Sequence, residues 1–310
     1  MGASAPPAEH PRIYSLRPMT VRRRLVKVPA SSANLGPGYD VLAAAVSLFL
    51  ELEVEETGEL SFDPGGLDVS TDRDNLIVRA FESLHSADGI AFRLRSEIPL
   101  ARGLGSSAAA IVAGLFAADH LFELGLSKED FLARATEIEG HPDNVAAAIY
   151  GGFVICGGGE DAPTAARFDP PSGLEGIAVI PAEEVSTERA REAIPTELPL
   201  VDAVANVSAA SRLVLGLQTA DLDLVTAGLA DRIHQDRRRE LYPCSMELVD
   251  EARDLGALGA TISGAGPTVL VWSTWQDAGK VVEALKGRYG GWAEVRRLPF
   301  SPLGADVPEL

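Results

Sequence analysis

The stretch Pro99-Leu-Ala-Arg-Gly-Leu-Gly-Ser-Ser-Ala-Ala-Ala110 decides how this 310-residue chain is read. Gly103 and Gly105 free the backbone, Ser106 and Ser107 follow, and an alanine-rich apolar run predicts a helix over residues 107–124. A glycine turn that ends on a helix N-terminus leaves several N–H groups without intrahelical partners, and the helix dipole adds roughly half a positive charge there. Such a place suits a polyanion, the phosphates of a nucleotide above all. It is not a Walker loop, because no lysine follows the last glycine, and it is not a Gly-x-Gly-x-x-Gly turn. The bland alternative is a glycine turn capped by Ser106 that binds nothing.

The rest of the composition narrows the choice. Hydrophobic residues make up 46% and charged residues 23% of the chain, an ordinary globular mixture with room for two modest domains. A net charge of −18 argues against a nucleic-acid or anionic-membrane partner, both of which need a basic surface. An acidic protein that binds a nucleotide must therefore gather its positive charge locally. No uninterrupted apolar run reaches the ~18 residues that span a bilayer. Residues 1–20 are rich in Ala and Pro and read as a flexible arm without a secretory apolar core. Cys156 and Cys244 are isolated thiols without metal-site spacing, which fits a reducing cytoplasm.

Periodicity predicts an alternation of strands and helices. Strands are expected at 25–28, 49–54, 91–96 and 153–156, with helices capped by Asp74-Asn75, beginning at Ser127, and following Pro142. The Gly-, Pro- and Asp-rich segment 157–171 is the expected domain boundary. Beyond it come strands at 176–180, 269–272 and 292–297 and helices at 200–217, 221–233, 244–255 and 275–287. Split into two sheets, this is an α+β or α/β architecture.

Three further segments are unusually polar or glycine-rich for their surroundings. Asn34-Leu-Gly-Pro-Gly-Tyr-Asp40 can turn Asn34 and Asp40 into one cleft, or it can be a turn satisfying its own backbone. Glu137-Ile-Glu-Gly-His-Pro-Asp-Asn144 offers carboxylates for a magnesium ion, or a plain helix surface followed by the cap of the next helix. Ser263-Gly-Ala-Gly-Pro-Thr268 is a glycine turn before a strand. One such segment alone carries little; four in one chain, with the 99–110 stretch, form a pattern.

That pattern resembles the GHMP small-molecule kinases. Pro29-Ala-Ser-Ser-Ala-Asn-Leu-Gly-Pro-Gly-Tyr-Asp40, the 99–108 turn and the 263–268 turn are similar to the three motifs of that superfamily, in order. The wording is closest to its homoserine kinase branch, through Glu139-Gly-His-Pro-Asp-Asn-Val145 and His234-Gln-x-x-Arg238. The resemblance covers about residues 24–305. It implies an α+β fold of two domains, residues 21–160 with the ATP-phosphate loop and 165–305 with a ferredoxin-like architecture, and an active site between them. It also implies ATP-dependent phosphorylation of L-homoserine on its side-chain hydroxyl, feeding threonine synthesis, with Mg²⁺ as cofactor and a homodimer as the assembly. Another small hydroxy acid or isoprenoid alcohol as acceptor, or a nucleotide sensor without catalysis, are the competing readings.

By the same resemblance, Pro99, Arg102, Gly103, Leu104, Gly105, Ser106, Ser107 and Ala108 enclose the ATP phosphates and Asn75 lies near the adenine. Ser107 and Glu137 hold Mg²⁺, with Glu139 in reserve. Asn34, Asp40, His141, Asn144 and Arg238 hold the acceptor, Arg238 through its carboxylate. Ser107, Glu137 and Asn144 form the catalytic set. Asn144 stands where mevalonate-type relatives have an aspartate, so no general base is expected there, and Asp143 is expected to face away. An arginine usual three residues after Asn206 is replaced by Ala209, leaving Arg212 either to reach the site from one turn on or to lie on the surface.

Overall fold

A computed structural model describes residues 21–158 and 162–308; the expected arm at 1–20 lies outside the described residues. The first half contains β1 (Arg23–Ala33), β2 (Leu42–Glu56), β3 (Ser61–Asp63), α1 (Leu76–Glu82), β4 (Ile90–Ser96), α2 (Ser106–Phe122), α3 (Lys128–Glu139), α4 (Asp143–Tyr150), β5 (Phe153–Gly157) and β6 (Thr164–Phe168). Its sheet has the order β3-β4-β2-β5-β6, with β1 also paired to β2. The second half follows with β7 (Leu174–Pro181), α5 (Thr187–Glu192), α6 (Leu200–Thr219), α7 (Leu222–Gly228), a 3₁₀ turn (Asp236–Arg238), α8 (Pro243–Glu251), β8 (Gly259–Ile262), β9 (Val269–Thr274), α9 (Ala278–Tyr289) and β10 (Ala293–Arg297). Its four antiparallel strands stand in the order β10-β7-β9-β8. In chain order that is 4-1-3-2, the arrangement of a ferredoxin-like domain, as expected.

Side-chain pattern explains the long elements. Along β2, Leu48, Leu50, Leu52 and Val54 point inward while Glu51, Glu53 and Glu55 face out toward Lys27, Arg93 and Arg23 of neighbouring strands. The strand begins well before residue 49 because Ala43 to Val46 are buried on both faces and show no alternation. Helix α2 is apolar on all sides and runs through the core. Gly114 lets α1 approach it: a Cβ there would lie 2.3 Å from the Ile77 carbonyl oxygen. Ser127 and Asp130 close a capping box at the start of α3.

Several boundaries depart from expectation. Helix α2 starts at Ser106, and its cap is Gly105 in the left-handed region with no side-chain cap, so Ser106 does not cap it. Strand β6 lies inside the turn-rich segment 157–171 yet pairs with β5, so the first sheet continues to Phe168. The helical pattern at 221–233 stops at Gly228, where Asp231 instead collects the N–H groups of Ile233, His234 and Gln235. Strands β3 and β8 and helix α5, three to six residues each, had no periodicity to reveal them.

The halves are joined at both ends. After β10 the chain returns to the first sheet, with Ser301 N–H donating to Ala45 and Lys27 and Asp306 exchanging backbone hydrogen bonds. Phe153, Trp272 and Phe300 pack together across the junction, with centroids 4.8 Å (Phe153–Phe300) and 5.2 Å (Trp272–Phe300) apart. On the other side, the three glycine turns meet. Ser263 Oγ donates to the Gly103 carbonyl at 2.6 Å, and Asn34 Nδ2 donates to the Gly264 carbonyl at 2.9 Å. Gly103 has φ +77°, and a Cβ there would sit 2.3 Å from the Ser263 carbonyl oxygen. Only glycine fits that approach.

Candidate active site

The junction of the three turns opens into a cleft of about 270 Å³. Its floor is the N-terminus of α2. The first backbone bond into that helix runs from Ala109 N–H to Gly105, which leaves the N–H groups of Ser106, Ser107 and Ala108 as the helix's free donors. Gly103, Gly105, Ser106 and Ser107 line the cleft. Leu104 is a core residue whose carbonyl accepts from Ser31 N–H, and Ala108 is fully buried. Arg102 turns toward Glu184 at 3.0 Å, and Pro99 does not line the cleft. A second, mainly apolar cavity of about 380 Å³ adjoins this floor and shares Ala101, Ser106 and Ser107 with it. Leu67, Val69, Leu94 and Leu100 wall it, together with Asn75. Asn75 also caps α1 through Ile77 N–H and donates to Ser70, so its amide is engaged by the backbone.

The carboxylate beside Ser107 is Glu139, which corrects the placement expected for Glu137. Ser107 Oγ donates to Glu139 Oε2 at 2.6 Å. The Glu139 side chain is 11% exposed and the Glu137 side chain 72%, the latter beside Arg134 on the outer face of α3. Burial raises the Glu139 pKa above the ordinary carboxyl value, against the pull of the Ser107 hydrogen bond and His141.

Asp143 also departs from expectation, since it faces the cleft instead of turning away. Its Oδ1 lies 2.7 Å from His141 Nδ1 and accepts from Asn144 N–H. Burial opposes a charge on His141, but the Asp143 hydrogen bond and the charges of Asp143 and Glu139 prevail and raise its pKa. Asn144 Oδ1 accepts from Ser31 Oγ at 2.8 Å, which leaves its amide NH₂ without a partner inside the described fold and lining the cleft.

On the far wall, Asp40 pairs with Arg191 in a two-point contact at 2.9 and 3.0 Å. Asn34 lines the cleft, but its amide is taken by Gly264 and by Asp40 N–H. Arg238 is buried, donating from Nε to Ala190 and from Nη1 to Gly264, with its guanidinium 5.5 Å from the Tyr39 ring centroid. Arg191, on the six-residue helix α5, was not singled out in the sequence, where no motif or periodicity marks that stretch. Arg212 is exposed on α6 and lies away from the cleft, and Ala209 is buried.

An anion-binding helix terminus between an apolar cavity and a charged cleft, held by three glycine turns, defines a nucleotide-dependent kinase architecture. The chain belongs to the GHMP kinase family: the family models described as GHMP kinases N terminal domain and GHMP kinases C terminal match residues 75–152 and 214–291. Among curated relatives it is similar to homoserine kinase of Moorella thermoacetica, 36% identical over 91% of this chain and 99% of that protein. It is likewise similar to homoserine kinase of Thermus thermophilus, 39% identical over 85% of this chain and 91% of that protein. The crystal structure of homoserine kinase from Cytophaga hutchinsonii superposes with a TM-score of 0.83 at 29% identity, covering 96% of this chain and all of that one.

Proposed function

We propose that this chain transfers the γ-phosphoryl group of ATP to the side-chain hydroxyl of L-homoserine, yielding O-phospho-L-homoserine and ADP. The observation that carries this reading is the meeting of two unlike cavities over the α2 N-terminus. The apolar one suits a nucleobase, the free N–H groups suit phosphates, and the cleft offers Asp40 to an ammonium and Arg191 and Arg238 to a carboxylate. An amino-acid zwitterion matches both signs. A neutral sugar or an isoprenoid alcohol would leave Asp40 and Arg191 paired with each other and gain no charged contact from either. Arrival of the zwitterion would exchange the Asp40–Arg191 pair for two pairs with the substrate.

Ser107 and Glu139 fit Mg²⁺: both are hard oxygen donors, adjacent to the phosphate site, and a cation would relieve a carboxylate that burial disfavours. When bound, the ion neutralises charge on the phosphate oxygens. The protein's own part is alignment. Asn144 supplies an amide donor instead of a base, and His141, biased by Asp143 toward its cationic form, donates rather than accepts. Phosphoryl transfer tolerates the lack of a base, because its loose transition state asks chiefly for positioning and charge neutralisation, and the proton can leave late to the phosphoryl group. The product would supply threonine synthesis, in a cytoplasm that keeps Cys156 and Cys244 as thiols.

The assembly we propose is a homodimer through α6. This helix is apolar and long enough, by length and composition, to cross a membrane, but it packs Asn206, Leu213 and Leu217 onto the protein. Leu200, Val201, Val204, Val207 and Leu215 remain exposed in a stripe that is self-complementary about its middle. An antiparallel copy centred near Val207 sets Leu200 against Leu215, as a two-fold interface requires.

An ADP-release assay over a panel of hydroxy acids tests the function. Turnover on L-homoserine should exceed that on L-serine, L-threonine and mevalonate by about 100-fold in kcat/KM. Preference for another acceptor, or nucleotide binding without turnover, would overturn it.

A further inference from the structure

His234 has no solvent exposure and sits behind the cleft, between its two halves. Its ring has three polar neighbours: Nε2 is 2.8 Å from the Gly36 carbonyl oxygen and 3.8 Å from Asp231 Oδ2, and Nδ1 is 3.2 Å from Arg238 Nη1. The partners dictate its chemistry. A carbonyl can only accept, so Nε2 carries the hydrogen, and a guanidinium can only donate, so Nδ1 presents a lone pair. The imidazole is therefore neutral and a single tautomer. Burial drives its pKa down, Asp231 pulls it up and Arg238 pushes it down again, with a net lowering that agrees with the hydrogen bonds.

The ring is fixed from both ends. Asp231 accepts from the backbone N–H of His234 at 2.9 Å and is itself held by Asn206 Nδ2, which also donates to the Pro37 carbonyl. Gly36 has φ +85°, and a Cβ there would meet the Leu229 carbonyl oxygen at 2.6 Å, so the turn packs directly on the backbone of that residue. Arg238 spends Nε on Ala190 and Nη1 on Gly264 and His234. Its Nη2 makes no hydrogen bond of ordinary geometry among the described residues, although the buried Tyr242 hydroxyl lies near the guanidinium, and Arg238 borders the cleft.

We propose that His234 is a positioning residue whose Nε2–H tautomer, fixed by the Gly36 carbonyl, presents Nδ1 as the acceptor that sets the orientation in which Arg238 meets an acceptor carboxylate. This rests on the reading that Arg238 pairs with that carboxylate. No substrate atom touches His234; it acts through Arg238. Asn and Gln separate its two contacts. In His234→Asn the amide oxygen falls near the position of Nδ1 and keeps an acceptor for Arg238. In His234→Gln the amide nitrogen falls near Nε2 and keeps a donor for Gly36 but removes that acceptor.

The test compares steady-state kinetics on L-homoserine and on its carboxamide, which lacks the carboxylate charge. His234→Gln should raise KM for homoserine by about tenfold or more, with KM for ATP and for the carboxamide within about twofold of wild type. His234→Asn should stay within about threefold on both acceptors. Equal losses in the two variants, or equal losses on the two acceptors, would overturn the proposal. Arg238→Lys serves as the reference: if it fails to reduce the preference for the acid over the carboxamide, the carboxylate reading is what has failed. A measurement that needs no variant is ¹⁵N NMR of histidine-labelled protein, which should give His234 as a neutral Nε2–H tautomer from pH 6 to 8. A cationic ring or an Nδ1–H tautomer would overturn the assignment.

Discussion

Two residues apart on α3, Glu137 and Glu139 face water and the cleft respectively, and a helix of 3.6 residues per turn makes this unavoidable. Leu132, Ala135 and Thr136 form the buried stripe of α3, and Glu139 continues it at spacings of seven, four and three, whereas Glu137 does not. That periodicity was present in the sequence and could have chosen between the two acids; motif alignment alone could not. Glu139→Gln should lower kcat by about 100-fold under saturating ATP and Mg²⁺, and Glu137→Gln should change it by less than about twofold. Steady-state rates of the two variants decide the matter. Arg191 had no comparable signal, because a charged six-residue helix looks the same whether it borders a cleft or open water. Asp143 was misjudged for a local reason: as the first residue of α4 its carboxylate curls back over its own turn toward His141 instead of following the helix face.

Among the elements, length and periodicity governed what could be read. The helices α2, α3, α6 and α9 and the strands β2, β4 and β7 were legible, because each has enough turns or alternations to show a face. The phosphate turn is held by backbone geometry more than by side chains. Gly103→Ala adds a Cβ against the Ser263 carbonyl and forces a left-handed conformation on a residue that resists it. It should cost about 2 kcal/mol or more in stability, and ADP formation should fall with it. Thermal melting read beside the rate checks both. The exposed stripe of α6 gives a different prediction. Val204→Glu should convert a dimer to a monomer in light scattering while leaving kcat within about twofold, because that side chain is exposed on α6 and does not line the cleft.

The whole molecule carries a net charge of −18 and still assembles His141, Arg191 and Arg238 around one cleft. Holding these groups requires a second, hidden layer of polar contacts centred on Asp231. Burial works against the Asp231 carboxylate, but hydrogen bonds from the Asn206 amide and from the backbone N–H groups of Ile233, His234 and Gln235 outweigh it and hold its pKa below the ordinary 3.8. A carboxyl depressed in the native state contributes stability that is full above 3.8 and is lost as the pH falls through its native value. Asp231→Asn should therefore cost about 2–3 kcal/mol near neutrality, and the gap to wild type should shrink below about pH 4. Denaturant melts across pH 3.5–8 test this. The two-domain order could be inferred from the sequence because three motifs and a strand–helix alternation specify it locally. This buried network could not, because it joins residues from 36 to 238 that meet only in the folded chain.

The α2 N-terminus is proposed to present ATP to the hydroxyl of an amino acid held between Asp40 and the two arginines. The most direct measurement of this is ³¹P NMR of the chain with ATP, Mg²⁺ and L-homoserine. The γ-phosphate signal should disappear with matching growth of ADP and of a phosphomonoester coupled to the terminal CH₂ of homoserine. Inorganic phosphate as the sole new species, or a phosphoryl group attached to the carboxylate or the nitrogen, would contradict it.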